Sequence, residues 1–200
     1  MSAATLYAAV EQHFAEAMQT LAAVDARQYS ALADAAETIV QALLGNHRVF
    51  TCGNGGSASD AEHLVAELVG RLEAERPGLP ALALTANSSV LTALGNDYGY
   101  DEVFARQVQT YGGAGDVLVA FSTSGNSRNV LAAVRAAQER DMPVVAFTGA
   151  PGGALREQLG PEDRLIAMPA TRIMRAQELH RIGIHALCDA IDRILLGGHA

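Results

Sequence analysis

The stretch TCGNGGSASDAEHLVAEL, residues 51–68, joins a glycine-rich turn to a helical pattern carrying His63 and Glu67. Residues four apart on an α-helix differ by about 40° around its axis, so this imidazole and carboxylate share one face, a turn apart. Such a pair can ligate a metal ion, or the carboxylate can act as a base while the imidazole orients it. Asp60 and Glu62 stand close by, and from this helix alone a solvated charged face is the simpler expectation. In the turn, Gly53, Gly55 and Gly56 let a ligand approach the backbone, and Ser57 or Ser59 is placed to cap the helix. The turn has neither the G-x-G-x-x-G spacing of dinucleotide sites nor the lysine of a P-loop, which argues against a nucleotide.

A second polar stretch, STSGNS, residues 122–127, immediately precedes the helical pattern NVLAAVRAAQER. Hydroxyls and backbone N–H groups at a helix start, with the positive end of its dipole, make a cradle for a phosphate. An ordinary N-cap accounts for one serine but not for the four hydroxyls of Ser122, Thr123, Ser124 and Ser127. Near the end of the chain, QELHRIGIHALC offers Gln177, His180 and His185. Gln177 lies about 60° from His180 and about 80° from His185, while the two histidines are about 140° apart and so do not serve one site together. His185 sits among Ile184, Ala186 and Leu187 and reads as a core histidine; periodicity does not choose between the two. His13, His47 and His199 have no local partners of interest.

These residues need a scaffold. Residues 47–53, 79–85, 116–125 and 143–149 are continuously apolar runs ending in Gly, Ser or Thr, as expected of strands buried on both faces, and 164–170 is a weaker fifth. Helical patterns at 57–72, 127–140 and 173–196 alternate with them, which predicts an α/β fold with a parallel sheet between helices. The first 46 residues read as two amphipathic helices that cover a sheet face or pair with the same helices of another subunit. In such sheets ligands bind outside the carboxyl ends of the strands, which directs attention to the loops after the first three.

With 200 residues, 50% of them hydrophobic and 18% charged, the chain reads as one soluble domain spanning residues 1–200. A net charge of −8 argues against direct nucleic-acid binding. Cys52 and Cys188 are too few for a disulfide framework, no apolar run is long enough to span a membrane, and the start lacks the order of a signal peptide. A cytoplasmic protein is expected.

Taken together, GNGGSASDAEHLVAELVGR, ERPGLPALALT, LTALGNDYGYDEVFARQV, GDVLVAFSTSGNS and QELHRIGIHALCD resemble the phosphoheptose isomerases, a branch of the sugar isomerase (SIS) family, over residues 5–195. The resemblance implies a five-stranded parallel sheet in a homotetramer whose sites are built from more than one subunit. It also implies conversion of sedoheptulose 7-phosphate, a sugar-phosphate substrate, into D-glycero-D-manno-heptose 7-phosphate, and one zinc ion (Zn2+) per subunit. By position, Ser122, Thr123, Ser124 and Ser127 match the family's phosphate loop, and Asn54, Gly55, Gly56, Asn96 and Asp97 match substrate-contacting residues. His63, Glu67, Gln177 and His185 match its metal and catalytic cluster, with Glu67 as base and His185 as acid; Glu67 and Gln177 also contact substrate. The resemblance, not helix geometry, selects His185 over His180. Met174 stands where some members carry an acid, and Leu64 and Val65 replace bulkier residues. LGPEDRLIAMP and CDAIDRILLG also resemble a sister branch, the replication-initiator-associating proteins, which implies an alternative as a non-catalytic tetrameric scaffold. That branch tends to lack the equivalents of Glu67 and His185.

Overall fold

A segment that is apolar on both sides folds stably only if both faces are covered, and each continuous run in this sequence becomes such a strand. In a computed structural model, which describes residues 3–197, β1 (Val49–Gly53), β2 (Ala81–Ala83), β3 (Val117–Ser122), β4 (Val144–Gly149) and β5 (Arg164–Met168) form one parallel sheet in the order β2-β1-β3-β4-β5. His199 lies outside the described residues. The strands are shorter than the apolar runs: β1 and β4 start later but keep Gly53 and Gly149, whereas β3 ends at Ser122, before the rest of the STSGNS loop.

Side chains alternate across the sheet, so Val117, Val119 and Phe121 join one core while Leu118 and Ala120 join the other. The first core is closed by α2 (Ala26–Leu44), α3 (Gly56–Val69) and α8 (Ile173–Leu196). The second is closed by α5 (Ala105–Tyr111) and α6 (Arg128–Gln138). The short α4 (Ser88–Tyr98), capped by Asn87 accepting from Val90 N at 3.1 Å, and α7 (Gly153–Gln158) complete the helices on the loop side. The sequence reading did not mark α4 or α5 as elements.

The two N-terminal helices part company. α2 buries Leu32, Ala35, Ala36, Ile39 and Val40 against the sheet and starts with a capping box between Asp25 and Gln28. α1 (Ala3–Ala22) buries no residue. It is held to α8 by polar contacts, with Arg175 donating to the His13 carbonyl at 2.8 Å and Arg172 paired with Glu16. Leu6, Val10, Phe14 and Met18, a stripe at helical spacing, remain exposed. Among the described residues, no helix is long and apolar enough to cross a membrane.

α3 and α8 carry the candidate catalytic side chains, and a buried ion pair joins them where α3 ends. Arg76 Nε donates to Asp192 Oδ1 at 2.6 Å, while its other nitrogens donate to the Glu67 and Leu68 carbonyls, both at 2.9 Å. The last carbonyls of a helix have no partner within it, so Arg76 caps α3 and ties that cap to α8. Arg76→Ala leaves Asp192 buried and unpaired, and the expected loss in urea denaturation is about 3–5 kcal/mol. A loss no larger than that of an exposed ion pair would show that the pair does not hold the helices together.

Candidate active site

The strand order reverses at β1, which has β2 on one side and β3 on the other. Open α/β sheets bind ligands outside the carboxyl ends of the strands at such a switch point. Gly53 at the end of β1 is in register with Phe121 of β3, so the glycine turn and the STSGNS loop leave the sheet side by side.

Ser127 occupies the N-cap position of α6, yet its hydroxyl makes no capping bond. It faces the Ser122 hydroxyl instead, at 3.1 Å. Ser124 Oγ accepts from Asn126 N at 3.1 Å, and the Thr123 carbonyl accepts from Gly149 N at 2.9 Å. The loop turns at Gly125, where φ is +67° and a Cβ would overlap the Gly152 carbonyl. Hydroxyls turned away from their default capping role at a helix start are what an anion cradle requires. In α3 the capping expectation fails for another reason: the helix already begins at Gly56, so Ser57 is buried within it and Gly55 is the cap.

Asn129 and Tyr100, which the sequence reading passed over, link the loops through Asn54. Asn54 and Asn129 exchange a reciprocal pair of amide hydrogen bonds, both 2.8 Å, and the Tyr100 hydroxyl reaches Asn54 Oδ1 at 3.3 Å. The glycine turn is thereby fastened to the first turn of α6. Asn129 is buried on the face of α6 that also carries Val130, Ala133 and Val134, and a polar residue beside that apolar pattern is the one signal of this bridge in the sequence. Asn96 and Asp97 lie exposed on α4, joined to each other at 2.8 Å and not to the other candidate residues.

His63, Glu67 and His185 converge. His63 Nε2 is 3.3 Å from Glu67 Oε1 and 2.8 Å from His185 Nε2, and one ligating atom of each residue lies within 4.8 Å of the others. The solvated-face expectation for α3 is therefore wrong: His63 and Glu67 are partly buried toward α8, while Glu62 is exposed. The core-histidine expectation is reversed as well. His185 is exposed, and His180 is the buried one, set edge-on to Phe147 at 5.7 Å and beside Phe121. The separation of the two histidines around α8 is the reason, since one of those directions points into the sheet core and the other toward α3. Gln177 sits on the same seam, its amide against Gly56 where a Cβ would overlap it.

Burial lowers the pKa of His180 to about 4, which keeps it neutral. His63 is held below its ordinary value first by burial and then by the Arg181 guanidinium, so its lone pair is available. Two imidazole nitrogens at 2.8 Å either share one proton or turn their lone pairs on one cation. Two imidazoles with a carboxylate are a donor set of the kind that zinc takes.

The sequence pattern of the SIS domain matches residues 12–149. A phosphoheptose isomerase of Neisseria gonorrhoeae is 50% identical over 194 residues, 97% of this chain and 98% of the relative. The solved structure of a phosphoheptose isomerase from Neisseria gonorrhoeae has a TM-score of 0.89 at 47% identity, covering 94% of this chain and 98% of that one. One from Francisella tularensis has a TM-score of 0.86 at 37% identity, covering 96% and 100%.

Losing a capping serine costs about 1 kcal/mol, so Ser127→Ala is expected to leave thermal stability unchanged while weakening protection by inorganic phosphate. A stability loss of that size would restore the capping role. His180 contributes stability that is full above its unfolded pKa near 6.5 and is lost as the pH falls toward its folded value of about 4. In urea titrations His180→Leu is therefore expected to lose about 2 kcal/mol less stability than the parent between about pH 6.5 and 5. An unchanged pH slope would show that His180 does not carry this acid sensitivity.

Proposed function

This chain belongs to the SIS domain family, in its phosphoheptose isomerase branch, and from that premise we propose that it converts sedoheptulose 7-phosphate into D-glycero-D-manno-heptose 7-phosphate through an enediol. It is an isomerase. The observation that carries the finer reading is the convergence of His63, Glu67 and His185 from two helices, the first of which begins directly at the glycine turn.

The substrate phosphate rests in the Ser122, Thr123, Ser124 and Ser127 loop, which fixes the far end of the sugar. Asn54, Gly55 and Gly56 line the chain between, with Gln177 against them and Asn96 and Asp97 on the outer wall. Glu67 takes a proton from the hydroxymethyl carbon beside the ketone and returns it to the former carbonyl carbon. His185 moves the accompanying proton from the hydroxyl oxygen to the former carbonyl oxygen, so no proton is gained or lost. Its exposure supports that role, since the ring is accessible to a substrate. His63, partly buried and neutral, orients Glu67. His63, Glu67 and His185, with Gln177 beside them, would hold a zinc ion. The chemistry such an ion supplies is Lewis-acid polarisation of the carbonyl.

The exposed stripe of α1 supports assembly of four copies, since an unpaired apolar face of this kind ordinarily marks an interface. Two free, buried cysteines support a cytoplasmic setting.

The test is incubation with sedoheptulose 7-phosphate in deuterated water, with zinc supplied. The expected outcome is aldose product carrying deuterium at the carbon beside the new carbonyl, abolished in Glu67→Gln while sedimentation still reports the four-chain mass. Absence of both product and exchange would favour the scaffold that binds a replication initiator, and near-normal turnover by Glu67→Gln would remove that residue as the base.

A further inference from the structure

Asp60 is 3% exposed and has no part in the proposed chemistry. It lies one turn before His63 on α3, and its Oδ1 is 3.1 Å from Arg181 Nη2, one turn before His185 on α8. The contacts along this seam form a ladder. Gly56 meets Gln177, Asp60 meets Arg181, and His63 meets His185. Each step advances about one turn on both helices, so the two run side by side in parallel and each rung fixes the next. The ion pair is the middle rung, and the outer rungs are candidate site residues.

A buried carboxylate is expensive. Asp60 Oδ2 has no hydrogen bond, the His180 Nδ1 that faces it stands 4.0 Å away, and burial raises the carboxyl pKa to about 6. An apolar residue in place of this enclosed carboxylate would stabilise the seam as well or better, whereas a pair anchored on a buried charge can specify register.

We propose that Asp60, through Arg181, is a positioning residue that sets the register of α3 against α8 and so brings His63 and Glu67 to His185 and Gln177. The inference rests on the isomerase reading of that cluster. The phosphate loop is fastened separately, through Asn54 and Asn129, and does not depend on this rung.

The experiment compares the full-length protein with Asp60→Asn, Arg181→Met and Arg181→Lys. Cobalt(II) is the probe, read by its visible absorption, alongside kcat and KM and crystal structures of parent and variants. Asp60→Asn and Arg181→Met are expected to bind cobalt about 10- to 100-fold more weakly and to lose kcat by a similar factor with KM unchanged. Arg181→Lys, which keeps the charge, is expected to recover most of the loss, and the crystal structures to show the His63–His185 contact displaced in the first two variants only. Folded Asp60→Asn protein with parental cobalt affinity and an undisplaced contact overturns the proposal. If Asp60→Asn does not fold, Arg181→Met decides, because Arg181 is partly exposed. Failure of the parent to isomerise sedoheptulose 7-phosphate would remove the isomerase reading alone. The cobalt titration would still decide the positioning role of Asp60 and Arg181, or the crystal structures if the parent takes up no cobalt.

Discussion

The lateral register of α3 against α8 is the constraint on which the site depends. Each helix has a conventional apolar face toward the sheet, but apolar packing is non-directional and tolerates small sliding motions. Buried charge does not. Arg76 at one end of the seam and Asp60 near the other are each enclosed and each paired across it, to Asp192 and Arg181. Sliding either helix would part ions that have few alternative partners, an arrangement whose disruption costs more than its formation gains. The catalytic candidates lie between these two points.

The crevice is organised on a second principle. Where the strand order reverses, the backbone itself approaches the ligand position, and the loops are joined by neutral amides and hydroxyls rather than ions. The Asn54–Asn129 pair satisfies both amides without adding charge, which leaves the positive end of α6 unopposed for an anion. The charges nearest that end of α6 are Arg128, its first residue, and Asp101, which pair with each other on the surface at 3.3 Å. An excess negative charge on the chain as a whole does not conflict with binding an anionic substrate, because the local field at the loop comes from backbone dipoles.

Much of this was readable in the sequence. Strands buried on both faces leave an unmistakable apolar run, and the glycine turn and serine loop stand out because they interrupt such runs at the ends where ligands bind. The short α4 and α5 escaped because their patterns are brief and mixed. The histidines of α8 show a deeper limit. Periodicity gives the angle between His180 and His185 but not the direction of the core, since α8 packs on the sheet with one face and on α3 with another. His185 was expected inside and His180 left undecided, and the helix carries them the other way around. Family resemblance, not periodicity, had selected His185. Arg76 and Asn129 were missed for a related reason. A polar residue reveals its purpose through its partner, and those partners are 116 and 75 residues away along the chain.

His63 and His185, in contact at 2.8 Å, are separated by 122 residues of sequence. Nearly the whole chain must leave the ribosome before the second imidazole exists to meet the first. The strands, the glycine turn and the STSGNS loop all precede it in order of synthesis, but the core beneath them is closed only when α8 is added. No fragment that ends before α8 carries the complete cluster.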